Sequence, residues 1–135
     1  AWKNGGAWCN GQQIYVSKEN ELKNSLMATG FPYYDFEQME AYIHTLKDLM
    51  QRTHGLRRMG SAAVDLAYVA CGRFEGFFEY GLQAWDVAAG CLLVKKAGGT
   101  LCDFEGKNDY LFGSSIVADN QGIHNALMEI IENRF

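Results

Sequence analysis

The chain has 135 residues, 48% of them hydrophobic and 21% charged, with a formal net charge of −4, which is typical of one globular domain rather than a disordered chain. Its basic residues are scattered, with Arg57-Arg58 and Lys95-Lys96 as the longest runs, so we predict no nucleic-acid partner, which would need clustered positive charge. No apolar run reaches the roughly 18 residues of a membrane-spanning helix, so no membrane segment is predicted either.

The first predicted element is a β-hairpin near the start of the chain. Its strands are Ala7–Cys9 and Gln12–Val16, and Asn10-Gly11 between them supplies the positive φ angles of a type I′ turn. A hairpin alone is marginal in water, and the segment 17–24 that follows is polar. We therefore expect the hairpin to belong to a sheet whose other strands lie upstream, and the chain to be a fragment.

Strand and helix patterns alternate over residues 25–135, which we predict to be an α/β domain, with residues 1–24 as the separate hairpin and linker. Apolar and aromatic runs predict five strands, at Leu26–Phe31, Leu56–Met59, Phe74–Tyr80, Thr100–Phe104 and Ser115–Asp119. Helical apolar patterns and glycine stops predict four helices, at Phe36–Thr53, Ser61–Cys71, Trp85–Lys96 and Gln121–Asn133. The alternation indicates a layered α/β fold with a partly parallel sheet.

The four cysteines carry no metal-binding spacing. Cys9, Cys71, Cys91 and Cys102 contain no C-x-x-C pair, so a structural zinc site has no support. All four have apolar neighbours in the sequence, and cysteine often behaves as a small buried hydrophobe. We predict four reduced core cysteines in a cytoplasmic protein.

One candidate binding site lies where a strand leads through Gly60 into a helix that opens at Ser61. Glycine lets a ligand approach the backbone closely, and the free N–H groups at a helix N-terminus can hold a phosphate or a sugar hydroxyl. Gly60, Ser61 and Ala62 form this turn. The alternative is that Ser61 acts only as an N-cap.

Two carboxylates lie close to predicted element ends. Asp86 opens a helix, where it is a cap, a favourable first-turn charge or a ligand of a metal ion, and the local pattern alone favours the cap. Glu79 ends the aromatic strand and either accepts hydrogen bonds from substrate hydroxyls or faces solvent. Asp65 and Tyr68 are interpreted as packing or surface groups.

No histidine is predicted to be catalytic. His44, His54 and His124 lie far apart in the sequence, and none is next to an obvious nucleophile.

Five segments, in order, resemble the inositol monophosphatase family. Trp85–Gly99 resembles the signature W-D-x-A-A-G-x-x-x-V-x-E-A-G-G, and Arg58–Ala70 resembles the segment that contains G-S-A-A-x-D-L-A-Y-V-A. Gly76–Glu79 matches G-F-F-E, and Gly6–Ser17 keeps the G-A-x-x-N-G and V-S spacing. Thr29–Tyr33 resembles the T-G-F-P of bacterial members. Together these segments extend over most of the chain.

The resemblance implies roles for the candidate residues. Asp86 falls on a magnesium ligand of the family, Glu79 on a group that contacts substrate hydroxyls, and Gly60, Ser61 and Ala62 on the turn that borders the substrate. It also implies the carboxy-terminal half of the sugar-phosphatase fold, with layers in the order α/β/α around a mixed sheet, Mg²⁺ as the cofactor, and a homodimer in the full-length form.

The family's remaining metal ligands are absent from these residues. Neither its acidic Glu-Glu segment nor its D-P-x-D-G-T motif occurs here, so the resemblance assigns no catalytic residue to this half and predicts that the chain alone is inactive. Lys96 stands where the signature usually has Glu, a change that we expect to alter the surface rather than the chemistry.

The resulting functional hypothesis is a magnesium-dependent hydrolase of phosphate monoesters, with myo-inositol monophosphate or a related sugar phosphate as substrate. Two alternatives remain open at this point. One is a related phosphatase that acts on fructose bisphosphate or 3′-phosphoadenosine phosphate. The other is a non-catalytic phosphate-binding or structural module.

Overall fold

The computed structural model describes all 135 residues. It has seven strands: β1 Ala7–Cys9, β2 Gln12–Ile14, β3 Leu26–Thr29, β4 Gly55–Arg57, β5 Gly76–Tyr80, β6 Thr100–Cys102 and β7 Ser115–Asp119. Its four α-helices are α1 Met39–Arg52, α2 Ala62–Ala70, α3 Ala84–Lys96 and α4 His124–Glu132. A single 3₁₀ turn, Leu22–Asn24, precedes β3. None of the helices combines the length and the apolar character needed to cross a membrane.

The five strands after the hairpin form one mixed sheet in the order β4-β3-β5-β7-β6. Strand β3 pairs in parallel with both β4 and β5, and β7 pairs antiparallel with β5 and β6. The parallel pairs follow from the crossovers through α1 and α2, because parallel strands cannot be joined by a short turn. This arrangement confirms the predicted partly parallel sheet.

Helices cover both faces of the sheet. One core cluster joins α2 and α3 to one face, and a second joins α1 and α4 to the other. Successive side chains of a strand point to opposite faces, so Phe77 enters the first cluster and Phe78 the second. All five residues of β5 are buried as a result. The layered α/β/α architecture is therefore confirmed.

The hairpin forms a separate two-stranded sheet. Asn10 and Gly11 have φ angles of 51° and 80°, the left-handed values that the predicted turn requires. Ala7 is fully buried in the cluster that contains α2 and α3, so the hairpin packs on that side of the molecule. The division into residues 1–24 and 25–135 stays a prediction.

Several predicted element ends were wrong by a few residues. The last helix was predicted from Gln121 but begins at His124, because Gln121 has a φ of 69° that no α-helix accommodates. The helix predicted from Phe36 begins at Met39, and the strand predicted from Phe74 begins at Gly76. The predicted Leu26–Phe31 strand ends at Thr29, close to the restricted Pro32 backbone.

The cysteine prediction needs a correction. All four cysteines are free, but only Cys91 and Cys102 are buried in the core. Cys9 is exposed on β1, and Cys71 is partly exposed just after α2. Apolar neighbours in sequence misled the prediction, because a residue that ends an element can leave the core even when its neighbours are in it.

Candidate active site

A cavity of about 790 Å³ opens at one edge of the five-stranded sheet. Its walls come from the segment after β3, the turn before α2, and the connection from β5 to α3. The cavity is also lined by all five residues predicted to form the site: Gly60, Ser61, Ala62, Glu79 and Asp86. They meet because β3, β4 and β5 are parallel, so their carboxyl ends reach the same edge, where ligands of such sheets commonly bind.

The turn before α2 presents the N-terminus of this helix to the cavity. Gly60 has a φ of +84°, which favours glycine, and Ser61 is the N-cap residue. The Ser61 side chain makes no capping hydrogen bond, so the interpretation of this serine as a simple side-chain cap is not supported. Its hydroxyl and the first backbone N–H groups of the helix remain available to a ligand that carries oxygen acceptors.

Glu79 is enclosed in the cavity wall. Only 6% of the residue is exposed, so the alternative of a solvent-facing strand residue was wrong. Burial is the main cause that raises its pKa to about 7, with the negative charge of Asp65 adding to it and the positive charge of Arg58 opposing it. A methyl group on Gly30 would overlap the Glu79 carboxylate, which would have to move to make room for it. Glu79 can therefore exchange a proton near neutral pH.

Asp86 lies in the first turn of α3 and has two functions in the structure. Its Oδ2 accepts a hydrogen bond from the backbone N–H of Gln83 at 3.0 Å, as part of a capping box. The same side chain lines the cavity. The capping bond fixes the orientation of the carboxylate. It involves only Oδ2, so Oδ1 accepts no hydrogen bond from another group of the chain.

Asp65 does not line the cavity, but it is a buried neighbour of the site whose charge acts on Glu79, and sequence reasoning did not single it out. It is only 1% exposed, and neither carboxylate oxygen has a hydrogen-bond partner. Burial raises its pKa to about 6, although the charge of Arg58 opposes the shift. The available signal was its position as the one charged residue in the otherwise apolar run of α2. A lone charge on an apolar helix is unusual enough to mark a site.

Arg58 also lines the cavity, although the sequence showed it only as part of the basic pair Arg57-Arg58 and no site role was predicted for it. Its guanidinium lies 4.9 Å from the centre of the Phe31 ring and 5.7 Å from that of Tyr33, and it donates a hydrogen bond to the Tyr33 hydroxyl. It provides positive charge to a cavity whose other charged groups are mainly carboxylates. The sequence indicated the aromatic residues Phe31 and Tyr33 only through the segment that resembles T-G-F-P.

The residues present fit part of a magnesium site. Magnesium takes oxygen ligands, often one or two carboxylates together with water and phosphate oxygens. Asp86 provides one suitable carboxylate. No group of three or more His, Cys, Asp or Glu side chains in the chain is placed to hold a metal ion. Asp86 therefore fits as a single ligand, and these residues alone do not form a complete site.

Fold and site together define a layered α/β protein with an acidic ligand cavity at the carboxyl ends of parallel strands. The helix N-terminus and the enclosed carboxylates at that cavity suit a ligand that carries both hydroxyl and anionic oxygen groups. The chain belongs to the inositol monophosphatase family, because residues 1–134 match the model described as "Inositol monophosphatase family". This confirms the resemblance identified in the sequence.

Individual relatives agree with this assignment. Nus factor SuhB of Pseudomonas aeruginosa is 43% identical over 129 residues, which are 94% of this chain and 48% of that protein. Inositol-1-monophosphatase of Rhizobium meliloti is 43% identical over 132 residues, 98% of this chain and 50% of that protein. The native crystal structure of extragenic suppressor protein suhB from Bartonella henselae has a TM-score of 0.93 at 39% identity, over 100% of this chain and 52% of that chain. The chain thus spans about half the length of the relatives it matches.

Proposed function

We propose that this chain is part of a magnesium-dependent phosphate monoester hydrolase that acts on myo-inositol monophosphate or a related sugar phosphate. The observation that carries the proposal is the cavity that joins the Gly60–Ala62 turn, Glu79 and Asp86 at one sheet edge. Family membership supports the phosphatase class. The substrate, the metal and the site roles are part of the proposal.

In this proposal the two sides of the cavity bind different groups of the substrate. The N-terminus of α2, with the unbonded Ser61 hydroxyl, binds oxygen atoms of the ester. Glu79 contacts a hydroxyl of the leaving alcohol. With a pKa of about 7, Glu79 can accept a hydrogen bond when ionised or donate one when protonated. Its enclosure by Gly30 fixes where that hydroxyl can lie.

Asp86 is proposed as the metal ligand that this chain contributes. A bound magnesium ion supplies Lewis-acid polarisation of a phosphoryl oxygen and lowers the pKa of a bound water. The Gln83 backbone N–H holds Asp86 in place through the 3.0 Å capping bond. Since these residues do not complete a metal site, we propose that further ligands lie outside them and that the 135-residue chain alone does not hydrolyse the ester.

The proposal extends to the setting of the full-length protein. Unpaired cysteines favour a cytoplasmic location, and the family resemblance favours a homodimer. A scattered distribution of basic residues favours a small phosphate ester, rather than a nucleic acid, as the partner.

The test is phosphate release from myo-inositol 1-phosphate by the full-length gene product with magnesium. Asp86→Asn removes one anionic ligand, and we expect turnover to fall by about 100-fold or more. Asp48→Asn is the matched control, because Asp48 forms an ion pair with Arg134 away from the cavity. Parallel assays with fructose bisphosphate and 3′-phosphoadenosine phosphate decide between substrates. Equal activity of the Asp86→Asn variant and the wild type would contradict the assignment of Asp86.

A second candidate function is a non-catalytic binding module. The observation in its favour is that relatives such as the Pseudomonas aeruginosa protein carry the name Nus factor rather than the name of an enzyme. Phosphate-ester binding without turnover by the full-length protein, at any magnesium concentration, would favour this candidate over the hydrolase.

A further inference from the structure

Two free thiols lie at the junction between the hairpin and the end of α2. Ala7 and Cys9 occupy alternate positions of β1, so their side chains point to the same face of the strand. Ala7 is fully buried in one cluster with Val69 and Ala70 of α2. Cys71 follows Ala70 directly. The strand that carries Cys9 and the end of the helix that leads to Cys71 therefore pack into the same core cluster.

A second contact fixes this junction. Gly72 has a φ of +68°, and a Cβ atom at this position would lie 3.0 Å from the backbone nitrogen of Ser17 and 3.1 Å from the backbone oxygen of Tyr15. The chain leaving the hairpin thus passes directly against the residue after Cys71. The Cys9 thiol is close enough to Cys71 to be among the groups that raise the pKa of the Cys71 thiol, after burial as the main cause.

We propose that Cys9 and Cys71 form a redox-responsive pair, which a hydroperoxide oxidises to an intramolecular disulfide and which a dithiol reductant restores. This proposal does not rest on the hydrolase function. It differs from a structural disulfide, because both residues are free thiols in the structure and one of them is exposed.

The chemistry proceeds in two balanced steps. The Cys9 thiolate attacks one oxygen of the hydroperoxide, the O–O bond breaks, an alcohol or water leaves, and Cys9 becomes a sulfenic acid. The Cys71 sulfur then attacks the Cys9 sulfur, the S–O bond breaks, and water leaves. In total two thiols lose two electrons to the peroxide. Cys9 reacts first because it is exposed, whereas Cys71 is partly enclosed and burial raises the pKa of its thiol.

The other two cysteines are internal controls. Burial raises the pKa of Cys91 to about 11 and that of Cys102 to about 12, so both remain protonated at neutral pH and are shielded from the oxidant. Oxidation should therefore stop at one bridge. The bridge would link the hairpin covalently to the carboxyl end of α2.

The test is intact mass and thiol titration of the protein before and after hydrogen peroxide. We expect a loss of about 2 Da for the single bridge, a fall from four reactive thiols under denaturing conditions to two, and full recovery with dithiothreitol. Peptide mapping of the wild type should link the peptides that contain Cys9 and Cys71, which needs no variant to fold. Cys9→Ser and Cys71→Ser should each abolish the mass loss, whereas Cys102→Ser should retain it.

Other outcomes would overturn the proposal. These are an unchanged mass, a persistent sulfenic or sulfinic acid on Cys9, a bridge that includes Cys91 or Cys102, and a bridge between two chains. A Cys9→Ser variant that still loses two thiols on oxidation would also overturn it.

Discussion

Asp119 and Asp65 are both enclosed carboxylates, at 0% and 1% exposed, and burial raises the pKa of both, yet they lie at opposite ends of the sheet and differ in their hydrogen-bond partners. Asp119 ends β7, where Nδ1 of His124 lies 2.7 Å from its Oδ2 and the backbone N–H of Gln121 donates to its Oδ1 at 2.8 Å. Asp65, behind the cavity, has no partner for either oxygen.

The two carboxylates differ in whether the fold supplies hydrogen-bond donors to them. Buried polar groups in folded proteins nearly always have partners, so a group without one requires an explanation. Asp119 is partnered within its own turn, and its environment stabilises the start of α4. Asp65 lies beside Glu79 and within the field of Arg58, at the end of the sheet where a ligand would enter. The carboxylate without a partner is therefore the one close to Glu79 and Arg58 of the cavity.

Removing the satisfied carboxylate should give the largest effect on stability. Asp119→Ala leaves the His124 ring nitrogen and the Gln121 N–H without their acceptor, and we expect the free energy of unfolding to fall by about 2 kcal/mol. Urea denaturation measures it. Asp48→Ala is the control, since its ion pair with Arg134 is partly exposed and should contribute under about 1 kcal/mol. Equal losses for both variants would remove the distinction between Asp119 and a surface charge.

A smaller effect is expected at the cavity, and it should appear in binding. Gly30→Ala places a methyl group on the Glu79 carboxylate and must displace it. If Glu79 contacts the substrate, KM of the full-length protein should rise about tenfold, equal to about 1.4 kcal/mol. Gly55→Ala is the matched control, because its nearest neighbouring atoms are 3.5 and 3.6 Å away. An unchanged KM for Gly30→Ala would argue against substrate contact at Glu79.

The smallest expected effect concerns Asp65, where removal of the charge should raise the free energy of unfolding, whereas the change at Asp119 should lower it. The raised pKa of Asp65, about 6 against 3.8, means that the folded chain retains a proton that the unfolded chain loses between these values. Stability contributed by this group therefore falls as pH rises from about 4 to about 6, and the penalty remains at higher pH. Asp65→Asn removes the charge, so we expect it to stabilise the protein by about 1 kcal/mol at pH 8 and to have little effect at pH 4.

Thermal or urea unfolding at both pH values measures this difference. Asp119→Asn provides the comparison, since loss of a satisfied carboxylate should destabilise the protein at pH 8. A destabilised Asp65→Asn variant at pH 8 would mean that Asp65 has a partner and that the contrast with Asp119 is wrong.

Sequence reasoning gave the order of elements but not the environment of single groups. Ser115–Asp119 was predicted with its observed bounds, because a strand buried on both faces has an unambiguous apolar run. The start of α4 was missed, because the left-handed φ of Gln121 is set by the hydrogen bond from its backbone N–H to Asp119. Such a contact does not alter the spacing of apolar residues, from which the helix was predicted.

The same contrast holds for the site: its members could be named from the sequence, but the environment of each group could not. Gly60, Ser61, Ala62, Glu79 and Asp86 were grouped by resemblance, and the parallel strands bring them to one cavity. Arg58 was missed as a site residue and Asp65 as its buried neighbour, because burial and the charges of groups distant in sequence determine their environments. No local pattern encodes either quantity. Their roles in binding remain predictions.

The position of β5 has a consequence for motion within the molecule. Its backbone pairs with β3 on one side and β7 on the other, and all five of its residues are buried. Amide hydrogens in such a strand exchange with solvent only when much of the domain opens. Glu79 therefore extends from the slowest-exchanging part of the chain, whereas the wall at 31–35 is a loop that can adjust around a ligand. One wall of the cavity, at β5, is therefore expected to be rigid, and the opposite wall, at residues 31–35, to be flexible.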